Sequence, residues 1–214
     1  MPNRKLTPNT IYHIMSKSIV GYKIFTCEEE FERMLKIIKY YTYEEIKFKF
    51  SKYQKLKESN LVNSEILNGG KIVKIISYCL MPTHIHIVAV GLKENSLSKY
   101  MNVILRSYTG YFNNKYKRKG PLWESRFKAV IVKNEENLLH LTRYLHLNPV
   151  SAYLVEKPEE WKYSSYREYI GLEDNKICDF QDYLTINSEI YKGFVNDRIG
   201  YQRELEKIKH LIVE

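Results

Sequence analysis

The sequence predicts an α+β protein: a ferredoxin-like antiparallel sheet with helices on one face, followed by a C-terminal helical appendage. Three observations carry this expectation. Alternation of apolar and polar residues marks strands at 10–19 and 84–90, a stretch rich in Ile, Val and Tyr marks another at 71–80, and 127–132 reads as the fourth. Apolar residues at helical spacing fill the intervals. The resulting order, strand, helix, strand, strand, helix, strand, helix, is that of the split β-α-β arrangement.

In the first strand, Ile11, Tyr12, His13, Ile14, Met15 and Ser16 approximate the period of a half-buried strand. Thr26 stands where a helix needs an N-cap, with Glu28, Glu29 and Glu30 in the first turn, where the helix dipole favours negative charge. Phe31, Met34, Leu35 and Ile38 continue that helix to about Tyr43. Residues 44–70 are polar, lysine-rich and end on Gly69-Gly70, so they read as a loop or hairpin insertion with a short strand candidate at 47–50. Met81-Pro82-Thr83 is a turn that makes the second and third strands antiparallel neighbours.

Ser96 is placed to cap a long helix with Leu97, Tyr100, Met101, Ile104, Tyr108, Tyr111 and Phe112 on its apolar face. It ends in Lys115, Lys117, Arg118 and Lys119 before Gly120-Pro121. After the fourth strand, Leu138, Leu139, Leu141, Leu145 and Leu147 define a helix expected to stop at Pro149, because proline disfavours helical dihedrals in the residue before it. Residues 1–150 thus read as the core and 151–214 as a helical extension packed on it.

Composition narrows the function classes. At 44% apolar and 28% charged, the 214-residue chain can bury a core and is neither a disordered tail nor a disulfide scaffold. Lysine plus arginine number 34 against 25 acidic residues, a net charge of +9 that points to a polyanionic partner, nucleic acid first. Cys27, Cys79 and Cys178 contain no Cys-x-x-Cys pair, which argues against a thiolate zinc site and suits the reducing cytoplasm. No stretch approaches the roughly 18 apolar residues of a spanning helix, so no membrane association is expected.

Three constellations could carry chemistry. His84 and His86 lie at i and i+2 on one strand, so both imidazoles share a face and can converge on one ion, while Ile85 and Ile87 point the other way. The plainer reading is a solvated pair, or a ring packed under a helix. Tyr144 and Asn148 lie at i and i+4, offering a phenol and an amide oxygen from one helix face. Core packing and helix termination are their ordinary roles. Finally, Arg126 and Lys128, with Arg106, Lys115, Lys117, Arg118 and Lys119, surround Trp123, a set suited to phosphate contacts and base stacking or simply to a charged surface over a core tryptophan.

Taken together, Tyr78-Cys79-Leu80-Met81-Pro82-Thr83-His84-Ile85-His86, then Gly-Pro-Leu-Trp-Glu-Ser-Arg-Phe-Lys at 120–128, then Arg-Tyr-Leu-His-Leu-Asn-Pro-Val at 143–150 resemble the single-tyrosine transposases of the HUH superfamily, most closely the REP-associated branch. The resemblance runs from about Tyr12 to Tyr166 and takes in Trp161, Ser164 and Ser165. It implies an HUH nuclease fold, His84, His86 and Asn148 as ligands of Mg²⁺ or Mn²⁺, and Tyr144 as nucleophile. It also implies single-stranded or hairpin DNA as partner, cut and rejoined through a 5′-phosphotyrosine. Thr83 stands where the family often has asparagine, and residues 44–70 exceed its usual connection. Subunit number stays open, since relatives that exchange the tyrosine helix work as dimers and REP-associated relatives can act alone.

The residue types suit that chemistry. A phenol exchanging one phosphate ester for another stores the bond, so joining needs no ATP. The free phenol, with a pKa near 10, needs a base or a positive field at neutral pH. A metal-positioned water and His146 are candidates for the base, and a groove residue is the plainer role for His146. Two other classes stay open: a non-catalytic nucleic-acid-binding relative, and a metal-dependent hydrolase in which water attacks.

Overall fold

The computed structural model describes residues 6–61 and 69–212. Four strands, β1 (Ile11–Lys17), β2 (Val73–Met81), β3 (His84–Gly91) and β4 (Lys128–Ile131), form one sheet in the order β2-β3-β1-β4, each neighbouring pair antiparallel. The helices are α1 (Glu28–Tyr40), α2 (Phe50–Glu58), α3 (Ser96–Lys115), α4 (Glu135–Ser151), α5 (Tyr166–Tyr169), α6 (Ser188–Asn196) and α7 (Ile199–Ile212). The expected split β-α-β sheet is present, and the C-terminal helices follow it. No helix among the described residues is long and apolar enough to cross a membrane.

Strand parity sorts the core into two layers. Ile14, Tyr78, Leu80, Ile85 and Ile87 meet Met34, Ile37 and Ile38 of α1 and Met101, Ile104 and Tyr108 of α3. These are the helices expected on one face. The other face is covered as well: Cys79, Met81, Val88 and Val90 pack with Leu138, Leu145 and Leu147 of α4, Tyr166 and Tyr169 of α5 and Tyr191 of α6. This explains why β2 reads as a nearly continuous apolar run, as a strand buried on both faces does. By contrast β4 is an edge strand, with Val130 and Ile131 exposed.

The Trp161, Ser164 and Ser165 element fastens the β2 edge. The Trp161 indole N–H donates to the Leu80 carbonyl (3.0 Å), and the Ser165 backbone N–H donates to the Tyr78 carbonyl (3.0 Å). These bonds satisfy edge groups that would otherwise be buried unpaired.

Several local expectations change. Residues 44–70 are not simply a loop or hairpin: Phe50–Glu58 form α2, and the strand candidate at 47–50 is absent. The aromatic anchors of α2 are Phe50 and Tyr53 on Tyr40 of α1, so its apolar stripe is too short to announce a helix among lysines. The part of that insertion at 62–68 lies outside the described residues. Helix α1 ends at Tyr40 rather than near Tyr43, and starts from Cys27; Thr26 instead gives its N–H and hydroxyl to the Glu30 carboxylate (2.7 and 2.9 Å). Ser96 is the first residue of α3, with Asn95 at the cap in the left-handed region (φ 57°). Pro149 does not stop α4, which continues to Ser151. In its last turn the missing proline N–H forfeits one bond, and the buried ring packs in place.

Candidate active site

The site lies where α4 crosses the face of β3 that carries the histidines. Opposite partners in an antiparallel pair share a face, so the row through His86 continues to Met15 of β1 and Lys128 of β4, and His84 stands opposite Lys17. His86 is almost wholly buried, and His84 and His13 are half-buried. The His84 and His86 rings meet edge to face at 5.0 Å, and the Thr83 hydroxyl shares a hydrogen bond with His84 Nδ1 (2.9 Å). His13 Nε2 and His86 Nδ1 are 3.0 Å apart, with ring planes 16° apart and centroids at 5.2 Å.

From the helix, Tyr144 sets its ring edge-on to His86 at 6.1 Å between centroids. Asn148, one turn on and on the same helix face, has its buried side-chain amide nitrogen without a hydrogen-bond partner. That N–H group is a donor and would serve an acceptor, whereas only the amide oxygen could meet a cation. The structure thus brings His84, His86 and Tyr144 together and leaves Asn148 unsatisfied on the tyrosine's face.

Burial holds the histidines neutral. Desolvation lowers His13 and His84 to about 4, with the Lys17 charge adding to the effect on His84. His86 is pushed well below its usual range, first by desolvation and then by His84, His13 and Lys17. Neutral imidazoles keep the lone pairs that a cation needs. Two imidazoles and an amide oxygen form a neutral set of mixed nitrogen and oxygen ligands, which fits a divalent cation that also meets a phosphate.

His146 is not the base. It is fully buried on the other side of α4, where Nδ1 bonds with the Tyr191 hydroxyl (2.8 Å) and Nε2 with the Ser165 hydroxyl (2.8 Å). Burial depresses it to about 3. Between the ordinary value of 6.5 and about 3, the unfolded chain takes a proton that the folded chain refuses, so stability falls as pH falls through that window. His13 and His84, at about 4, act in the same direction. Thermal melts should show wild type losing stability from pH 7 to pH 4.5, and His146→Gln losing less over that range. At pH 7 the same substitution should cost about 1–3 kcal/mol through poorly paired Tyr191 and Ser165.

The basic set divides. Lys128 is exposed on the histidine face, and Arg106, Lys117, Lys119 and Arg126 are exposed elsewhere along α3 and the segment after it. Lys115 is instead held by Glu29 (3.1 Å) and by the buried Glu30 (3.0 Å), so its charge is already matched. Arg118 braces its own turn through Asn113 (2.8 Å) and the Pro121 carbonyl (2.7 Å). Trp123 is a core anchor rather than a stacking platform: it is 9% exposed, and its N–H reaches the Leu105 carbonyl and the Thr109 hydroxyl.

Sequence reasoning missed His13 and Lys17. They share parity with Met15 in β1, but only the register shows that this parity faces the histidine pair. The face divides into a half under α4 and a more open half bearing His13, Lys17, Lys128 and Val130.

By fold and site, this is a ferredoxin-like sheet protein that sets a strand histidine pair against a helix tyrosine. The chain belongs to the IS200-like transposase family, whose profile matches residues 7–148. A Haemophilus influenzae protein named as a REP-associated tyrosine transposase is 24% identical over 109 residues, covering 46% of this chain and 61% of that protein. The match therefore spans less than two thirds of that relative's length. A solved structure of a REP-associated tyrosine transposase bound to a REP hairpin shares the fold with a TM-score of 0.53 at 16% identity, over 88% of this chain and 99% of that one.

Proposed function

We propose that the chain is a metal-dependent tyrosine transposase that cuts and rejoins single-stranded, hairpin-bearing DNA. The observation that carries this reading is Tyr144 held edge-on to His86, beside a partly open sheet surface with Lys17 and Lys128 exposed. The Tyr144 phenolic oxygen attacks the scissile phosphorus and loses its proton. The bond from phosphorus to the 3′ oxygen breaks, and a 3′-hydroxyl leaves while the 5′-phosphate stays on Tyr144. Attack by a 3′-hydroxyl on that linkage reverses the exchange and joins strands.

His84, His86 and, through its amide oxygen, Asn148 would hold Mg²⁺ or Mn²⁺, and the neutral imidazoles support that assignment. The ion, when bound, supplies positive charge at the scissile phosphate. Lys17 and Lys128, on the same sheet face, are placed to hold phosphates of the strand approaching Tyr144. Arg106, Lys117, Lys119 and Arg126 extend that basic path.

The reading is tested by incubating the chain with labelled single strands from the gene's own flanking hairpins and Mn²⁺ or Mg²⁺. Metal-dependent cleavage leaving a 3′-hydroxyl, and joining of an added 3′-hydroxyl strand without ATP, are expected. A free 5′-phosphate with no joining would indicate a hydrolase, and tight binding without cleavage a non-catalytic relative. Binding itself should weaken with salt at a log-log slope of about −0.7 per phosphate contacted. A filter-binding titration that is flat in salt would remove the basic path from the account.

A further inference from the structure

We propose that His13 is a positioning residue for the metal site: its Nε2 accepts a hydrogen bond from the His86 Nδ1–H and so leaves His86 Nε2 with a free lone pair to ligate the cation. This rests on the metal-dependent reading above. The Nδ1 edge of His86 is already occupied by His13 at 3.0 Å, so Nε2 is the edge that remains for an ion. Their planes differ by 16° and their centroids are 5.2 Å apart, nearly the 3.0 Å contact plus the two ring radii, so the line between the nitrogens runs close to both ring planes. An imidazole N–H and a ring lone pair both lie in the ring plane, so this arrangement aligns donor with acceptor.

The bond between two neutral imidazoles can run in only two senses. If His13 Nε2 donates, His86 Nδ1 accepts, and the one proton of His86 sits on Nε2, where it blocks ligation. If His86 Nδ1 donates, Nε2 carries a lone pair and can bind a cation. A cation therefore selects the second sense, and His13 is the acceptor that makes it available to the buried His86 ring. Without an acceptor, the buried Nδ1–H of a ligating His86 would lose its partner, since His86 is 3% exposed. His13 does not stand as a further ligand through Nε2, which is directed at His86. His84 Nδ1 has its own partner in the Thr83 hydroxyl (2.9 Å), so each histidine of the pair is oriented by a different group.

The test uses the metal-free full chain titrated with Mn²⁺, with free ion read by electron paramagnetic resonance, in wild type, His13→Phe and His13→Gln. His13→Phe keeps a flat ring but no acceptor and should weaken Mn²⁺ binding by about 10–100-fold. His13→Gln offers an amide oxygen to the same proton and should recover most of that loss, and metal-free melts of all three chains show whether the fold survives. In the wild-type chain loaded with diamagnetic Mg²⁺, nitrogen NMR should place the His86 proton on Nδ1, a readout that needs no variant. His13→Phe binding Mn²⁺ as tightly as wild type, His13→Gln no better than His13→Phe, or a His86 proton on Nε2 would each overturn the proposal. A wild-type chain that binds no Mn²⁺ would take down the metal-dependent reading with it, whereas normal wild-type binding with an unaffected His13→Phe removes this inference alone.

Discussion

Tyr144→Phe should abolish the covalent protein–DNA adduct and lower strand cleavage by on the order of 10⁴-fold or more, while leaving hairpin binding unchanged. The substitution deletes one oxygen and little else. The ring's edge-on contact with His86 at 6.1 Å needs no hydroxyl, and no hydrogen bond of the Tyr144 hydroxyl holds α4 in place among the described residues. Loss of cleavage with an unchanged melting temperature would therefore report the missing nucleophile. A hydrolase using the same histidines would retain most of its rate in this variant. The comparison of cleavage and adduct in one gel separates the two mechanisms.

His84→Ala should lower cleavage by on the order of 10²–10³-fold, the rate equivalent of the several kcal/mol a cation contributes at a phosphate. His84 is the cleaner probe of the pair. It is half-buried at the start of β3 and hydrogen-bonded to Thr83, its immediate neighbour, so its removal leaves little unpaired. His86 is nearly sealed beneath α4 and bonded to His13, and truncating it would also leave a cavity in the core. Hairpin affinity in His84→Ala should stay close to wild type, because Lys17, Lys128 and the basic path are intact. Parallel loss of binding and cleavage would mark a folding defect and would be visible in the melt.

Much of this architecture is legible in the residue order. The strand parity of His84 and His86, the turn at Met81-Pro82-Thr83 and the helical spacing of Tyr144 and Asn148 are local properties, so periodicity alone places each pair on one face. What local pattern does not hold is which face meets which. His13 and Lys17 belong to the site only because β1 lies beside β3 in a register that sets Met15 opposite His86. Lys115 and Trp123 show the converse, since charge and aromaticity suggest nucleic-acid contacts until Glu29, Glu30 and the Leu105 carbonyl are seen to occupy them.

The same limit accounts for the other departures. Helix α2 is held by tertiary contacts with Arg33, Tyr40 and Tyr41 and carries little signal of its own. Pro149 reads as a stop, although a proline in the last turn of a helix buried against the sheet loses only one bond. His146 stands two residues from both Tyr144 and Asn148 in sequence, yet that spacing turns it to the opposite side of α4, into the Ser165 and Tyr191 network.

The central claim is that Tyr144 forms a covalent bond to DNA phosphate, and peptide mass spectrometry of the wild-type chain after reaction with a flanking hairpin strand and Mn²⁺ tests it most directly. The account predicts a nucleotide adduct on the peptide carrying Tyr144, formed only with metal and absent from Tyr144→Phe. Metal-dependent cleavage with no adduct on Tyr144, or with the adduct on another residue, would contradict it.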